Sequence, residues 1–103
     1  MKILFLGDVV GISGCEKIMN NLSNQIKVNQ IDFVIVNAEN ADESGVGLTK
    51  EICNDFFNCG VNVITTGNHV WDQKNIMNFI DKENRLLRPK NLFEPAPGKG
   101  FEI

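Results

Sequence analysis

Three short apolar runs, each opening into polar side chains, constrain this chain more than any other feature. Ile3-Leu4-Phe5-Leu6 leads into Gly7-Asp8. Phe33-Val34-Ile35-Val36 leads into Asn37-Ala38-Glu39-Asn40. Val61-Asn62-Val63-Ile64-Thr65 leads into Gly67-Asn68-His69, which holds the only histidine. Each run reads as a β-strand, and helical patterns lie between them. The second run is apolar throughout its centre, as a strand buried on both faces of a parallel sheet would be. In such a sheet, the side chains just past the carboxyl ends of neighbouring strands converge on one crevice, where ligands of open α/β folds bind. Asp8, Glu39, Asn40, Asn68 and His69 would all lie on that edge.

The connecting segments carry helix signals. Ser13-Gly14-Cys15-Glu16 fits a capping box, followed by Ile18, Leu22 and Ile26 at helical spacing. Thr49 can cap a second helix, with Glu51 in its first turn and Ile52, Cys53, Phe56 and Phe57 on its apolar face. Gly60 is placed to stop it. Asp72 is the expected cap of a short third helix carrying Ile76, Met77 and Ile80. The order β-α-β-α-β-α predicts an α/β fold with a parallel sheet and right-handed crossovers. Residues 1–88 read as one α/β unit. Residues 89–103, with Pro89, Pro95, Pro97, Gly98 and Gly100, read as an extended connection. There Phe101-Glu102-Ile103 resembles the first residues of another strand, as in a truncated domain.

Composition excludes some functions. A net charge of −3 leaves no basic footprint for bulk nucleic-acid binding. No apolar run approaches the ~20 residues of a membrane-spanning helix. The opening run is too short for a signal-peptide core. Cys15, Cys53 and Cys59 form no CxxC and leave one thiol over in any disulfide scheme, so they read as reduced, buried thiols in a cytosol. Asp42 and Glu43 read as solvated loop charges; Arg85 and Arg88 could meet phosphate but read better as surface residues. Trp71 reads as a ring packed beneath its loop.

Carboxylate and amide oxygens are hard donors suited to Mg²⁺, Mn²⁺ or Fe²⁺, and imidazole extends the choice to Zn²⁺. Two such ions ~3.5–4 Å apart can clamp a phosphate. Glu39 is the candidate bridge, because a shared carboxylate offsets repulsion between the ions. Adjacent loop residues can point apart, so Asn68 can bind metal while His69 protonates a leaving oxygen.

Gly7-Asp8-Val9-Val10-Gly11, Asn37-Ala38-Glu39-Asn40-Ala41, Gly47-Leu48-Thr49 and Gly67-Asn68-His69-Val70-Trp71-Asp72 together resemble the YmdB-like branch of the calcineurin-like metallophosphoesterases. Arg88-Pro89 and Pro97-Gly98-Lys99-Gly100 fit the same branch. The resemblance implies the N-terminal portion of an αββα sandwich. It also implies a two-metal phosphodiesterase acting on 2′,3′-cyclic nucleotides in a bacterial cytoplasm. By the same resemblance, Asp8 and Asn40 would bind the first metal, Glu39 would bridge, Asn68 would bind the second, and His69 would donate a proton to the leaving ribose oxygen. Members of that branch complete the site with three further histidines in their second half, two of them in Gly-His-x-His. This chain has no histidine after His69. A site missing several ligands binds metal weakly. The chain is therefore expected to be inactive alone, with a second chain or self-association as the partner that completes it.

Two other readings stay open. Gly7, Gly11 and Gly14 could form the first turn of a Rossmann-like nucleotide-binding module, with Glu39 as its ribose-binding acid. Their spacing is G-x-x-x-G-x-x-G, however, and Asp8 would oppose a pyrophosphate. The other reading is a non-catalytic half-domain that acts only by pairing.

Overall fold

The apolar runs form a single parallel sheet. The computed structural model describes Met1–Ile103. Strands β1 (Ile3–Leu6), β2 (Phe33–Asn37), β3 (Val63–Thr65) and β4 (Leu86–Leu87) lie side by side in chain order, and every pairing is parallel. Helices α1 (Gly11–Asn29) and α2 (Lys50–Cys59) form the first two crossovers. The third contains a short helix, α3 (Ile76–Phe79), and a 3₁₀ turn over Ile80–Lys82. The expected α/β architecture is therefore present, with β4 added. A two-residue strand is too short to leave a periodic signal.

Strand register sorts the side chains into two faces. Leu6, Val36, Ile64 and Leu86 form one row across the sheet, and Leu4 pairs with Val34 in the next. Val34, Val36, Ile64 and Leu86 are buried in one cluster with Cys15, Ile18 and Leu22 of α1 and Cys53 and Phe56 of α2. The opposite face carries Ile3, Phe5, Phe33, Ile35 and Val63, since successive strand residues point to opposite sides. Ile3 and Phe5 are 57% and 61% exposed, and Phe33, Ile35 and Val63 are only half-buried. β2 is thus buried fully on one face, not on both as its composition predicts.

Helix boundaries show which local signals compete successfully with tertiary structure. Thr49 caps α2 as expected, its Oγ1 accepting the Ile52 N–H at 3.3 Å. Gly60 ends that helix at φ +117°. The Ser13–Glu16 capping box does not form. Val10 instead bridges to Asn40, Gly11 turns at φ +65°, and the helix is already under way at Ser13. Asp72 caps nothing, because α3 begins at Ile76 after Asn75 and the Asp72 carboxylate is engaged elsewhere.

Arg88 also departs from its expected surface role, being only 4% exposed. Its guanidinium donates to the carbonyls of Pro89 (3.0 Å), Ala96 (3.4 Å) and Pro97 (3.1 Å) and to Glu94 Oε1 (3.1 Å). A buried cation is tolerated when its donors are satisfied in this way. The same segment returns to β4, where the Arg88 N–H donates to the Lys99 carbonyl at 2.9 Å and Leu87 bridges Lys99. Phe101–Ile103 form no strand here; the sheet contact is made two residues earlier.

The three thiols are free. Burial pushes each of them above the ordinary thiol range, Cys53 furthest. No helix is long and apolar enough to cross a membrane.

Gly60 tests this account of helix termination. A Cβ there would sit 2.8 Å from Ile26 Cδ1, and the backbone is left-handed. Gly60→Ala should destabilise the fold by about 1–2 kcal/mol, read as a lower urea midpoint with an unchanged slope.

Candidate active site

Because β1, β2 and β3 are parallel neighbours, their carboxyl ends share one edge. Backbone bonds continue the pairing past the strands. The Ala38 N–H donates to the Thr65 carbonyl at 3.0 Å, Val9 N–H to Asn37 at 3.4 Å, and Gly11 N–H to Asn40 at 3.0 Å. These bonds set the Asp8, Glu39–Asn40 and Asn68–His69 segments beside one another.

Two direct contacts join the predicted residues. Asn40 Nδ2 donates to both Asp8 carboxylate oxygens, at 3.2 and 3.0 Å. The His69 backbone N–H donates to Glu39 Oε2 at 3.2 Å. Asp8 and Asn68 are exposed, whereas Glu39, Asn40 and His69 are half-buried. The Asn68 side chain makes no hydrogen bond within the chain, so it joins the edge only by its place in the loop after β3. The His69 ring meets Asp72, with Nδ1 2.7 Å from Oδ2.

The loop after β2 is built tightly to hold Glu39 and Asn40. The Gly47 N–H donates to the Glu39 carbonyl at 2.6 Å, and the Asp42 N–H to the Gly47 carbonyl at 2.9 Å. Asp42 is not a solvated charge. Its carboxylate accepts from Ser44 N–H (3.0 Å), Ser44 Oγ (2.7 Å) and Gln73 Nε2 (3.2 Å). Gln73 also donates to the Val46 carbonyl at 3.0 Å, tying the loop after β2 to the loop after β3. Gly47 makes room for this latch: at φ +87°, a Cβ would come within 2.7 Å of Gln73 Cγ. The sequence does not signal the link between Asp42 and Gln73, because the two lie about thirty residues apart. Val70, fully buried, and Trp71, packed against the core, anchor the third loop from below. Cys15 lies under the same loops, its Sγ donating to the Ala41 carbonyl at 3.2 Å. Burial, and secondly the Asp42 charge, hold this thiol protonated.

The donor chemistry fits hard cations, with two carboxylates and two amide oxygens on one edge. The count is short of a closed shell: nowhere do three His, Cys, Asp or Glu side chains gather at metal-binding range. The larger clefts lie elsewhere, beside Arg88 and the chain end and along β1, so the strand-end residues form an open ledge. The geometry weighs against a dinucleotide module. The Gly11 N–H at the start of α1 is bonded to Asn40, and a carboxylate stands where a pyrophosphate would lie.

Gly67 is the position where a single methyl should matter most. A Cβ there would collide with both oxygens of the Glu39 carboxylate. Gly67→Ala should drive that carboxylate off the His69 N–H. The expected result is a shifted and faster-exchanging His69 amide in NMR spectra, with the β2 and β3 amides unchanged.

The chain is 43% identical over 101 residues to the 2′,3′-cyclic-nucleotide 2′-phosphodiesterase of Bacillus subtilis, covering 98% of this chain and 38% of that protein. A crystal structure of a phosphatase from Mycoplasma pneumoniae superposes at a TM-score of 0.88 with 40% identity, over all of this chain and 39% of the other. A hypothetical protein from Thermus thermophilus gives the same TM-score at 32% identity, over 40% of its length. The chain thus spans about two-fifths of the length of these relatives. The model of the YmdB-like protein family matches residues 4–103, and this chain belongs to that family.

Proposed function

We propose that this chain supplies the first part of a two-metal phosphodiesterase acting on 2′,3′-cyclic nucleotides. The observation that carries this reading is the shared edge. Three adjacent parallel strands end in Asp8, Glu39–Asn40 and Asn68–His69, with Asp8 touching Asn40 and Glu39 touching the His69 backbone. The name of the B. subtilis relative supports the substrate class.

In this reading Asp8 and Asn40 would hold one divalent ion, Asn68 the other, and Glu39 would be shared between them. The ions, when bound, supply positive charge to a phosphodiester and activate water near neutral pH. Asn40 donates through Nδ2 to Asp8, which leaves its amide oxygen as the atom that would hold an ion. Glu39 is kept on the edge by the His69 N–H and by the space Gly67 leaves. His69 gives a proton to the departing ribose oxygen, which would otherwise leave as an alkoxide. The three free thiols suit an enzyme of the cytoplasm.

The chain does not act alone. Its donors make up only part of a two-metal shell, and the Ile3, Phe5, Phe33, Ile35, Val63 face of the sheet is uncovered. An apolar sheet face of this kind is stable when packed against a second layer. A polypeptide carrying the remaining three-fifths of the YmdB-like fold would cover it and bring the missing ligands.

The test is to join this chain to the corresponding remainder of the B. subtilis relative and assay 2′,3′-cyclic AMP with Mn²⁺. The joined protein should hydrolyse it, and His69→Ala should lower kcat by about 10²–10⁴-fold. The 103-residue chain alone should give no product. Hydrolysis by the joined protein that survives loss of His69 would contradict the assigned role. Turnover by the chain alone would contradict the need for a partner.

A further inference from the structure

The Asp72 carboxylate has a single hydrogen-bond partner, the His69 ring, at 2.7 Å from Nδ1. The main chain holds it there. The Asp72 N–H donates to the His69 carbonyl at 3.1 Å and the Val70 N–H to the Gly67 carbonyl at 3.2 Å, so residues 67–72 form a closed double turn. Val70 is fully buried and Trp71 packs on the core, which fixes the turn between ring and carboxylate. No backbone N–H of the following residues reaches Asp72, so it has no capping role to explain its placement. The second ring nitrogen, Nε2, has no partner within the chain.

A carboxylate can only accept, so the nitrogen facing it must carry hydrogen. We infer that Asp72 is a positioning residue that fixes the His69 proton on Nδ1 and leaves Nε2 as the only nitrogen able to exchange a proton with a bound molecule. An unconstrained imidazole carries its proton mainly on Nε2, and its ring rotates freely. Asp72 removes both freedoms. The inference deepens the phosphodiesterase reading and rests on it for its catalytic consequence. In the step concerned, the Nε2–H bond of the charged ring breaks and the proton joins the leaving ribose oxygen. The ring becomes neutral and keeps its Nδ1 hydrogen against Asp72. The fate of a histidine proton commonly depends on the partner of its other nitrogen.

The test needs no catalysis. His69 is the only histidine, so a ¹⁵N-labelled chain shows one imidazole pattern in long-range proton–nitrogen spectra. With the ring neutral, as its own nitrogen shifts report, the wild-type imidazole should be mostly in the Nδ1–H form. Asp72→Ala should return it to the Nε2–H form while the backbone amide spectrum stays folded. A wild-type ring mostly in the Nε2–H form would overturn the inference without any variant, and so would a pattern that Asp72→Ala does not change. In the joined phosphodiesterase, Asp72→Ala should lower kcat by about 10–100-fold, as loss of an outer-shell partner does, with KM unchanged. An unchanged kcat would overturn the catalytic consequence. A joined wild-type protein with no turnover would instead defeat the phosphodiesterase reading, and the tautomer measurement would still decide the role of Asp72.

Discussion

The backbone bond from the Ala38 N–H to the Thr65 carbonyl, with its companions at Val9 and Gly11, is the constraint on which the rest of the ledge depends. Each lies just past the end of a strand, where pairing usually gives way to loop. By carrying the parallel register a residue or two further, they bring three loops to one height. The side-chain contacts follow from that height. Asp8 can meet Asn40 only because Val10 bridges Asn40, and Glu39 can reach the His69 N–H only because β2 and β3 end together. The same continuation overrides the helix-start signal at Ser13, since a chain still paired at Val10 enters its helix at Gly11.

The loops themselves are stiffened by a second tier of polar contacts. Asp42, Ser44 and Gln73 join the loop after β2 to the loop after β3 in the space that Gly47 provides, and Gly67 provides space for the Glu39 carboxylate. Neither glycine is interchangeable with alanine, for different reasons. At Gly47 both the backbone angle and the Gln73 side chain forbid a Cβ; at Gly67 the obstacle is the Glu39 carboxylate. Rigid support of this kind is what a site needs if its groups are to meet a substrate without reorganising.

The strands, the first two crossovers and the parallel order were legible because alternating apolar runs and caps such as Thr49 and Gly60 act locally. The members of the ledge were legible too, since a strand's end is a position in sequence as much as in space. What escaped was long-range. Arg88 looked like a surface cation because its acceptors are carbonyls of a proline-rich return, which no side-chain pattern reveals. Asp42 looked solvated because Gln73 is remote in sequence. Asp72 looked like a helix cap because its true partner, His69, competes for the same carboxylate and wins. β2 looked buried on both sides because its composition reflects a face that this chain leaves uncovered.

The chain spans about two-fifths of the length of its relatives. The central claim is that the strand-end residues are already arranged to receive a divalent ion. The most direct test is to titrate the ¹⁵N-labelled chain with Mn²⁺ and follow paramagnetic broadening of its amide signals. The account predicts that broadening begins at Asp8, Glu39, Asn40, Asn68 and His69, that it needs far more Mn²⁺ than a closed site would, and that Asp8→Ala removes it. Broadening that begins instead around Asp42–Ser44 or Asp81–Glu83, or that ignores the loss of Asp8, would contradict it.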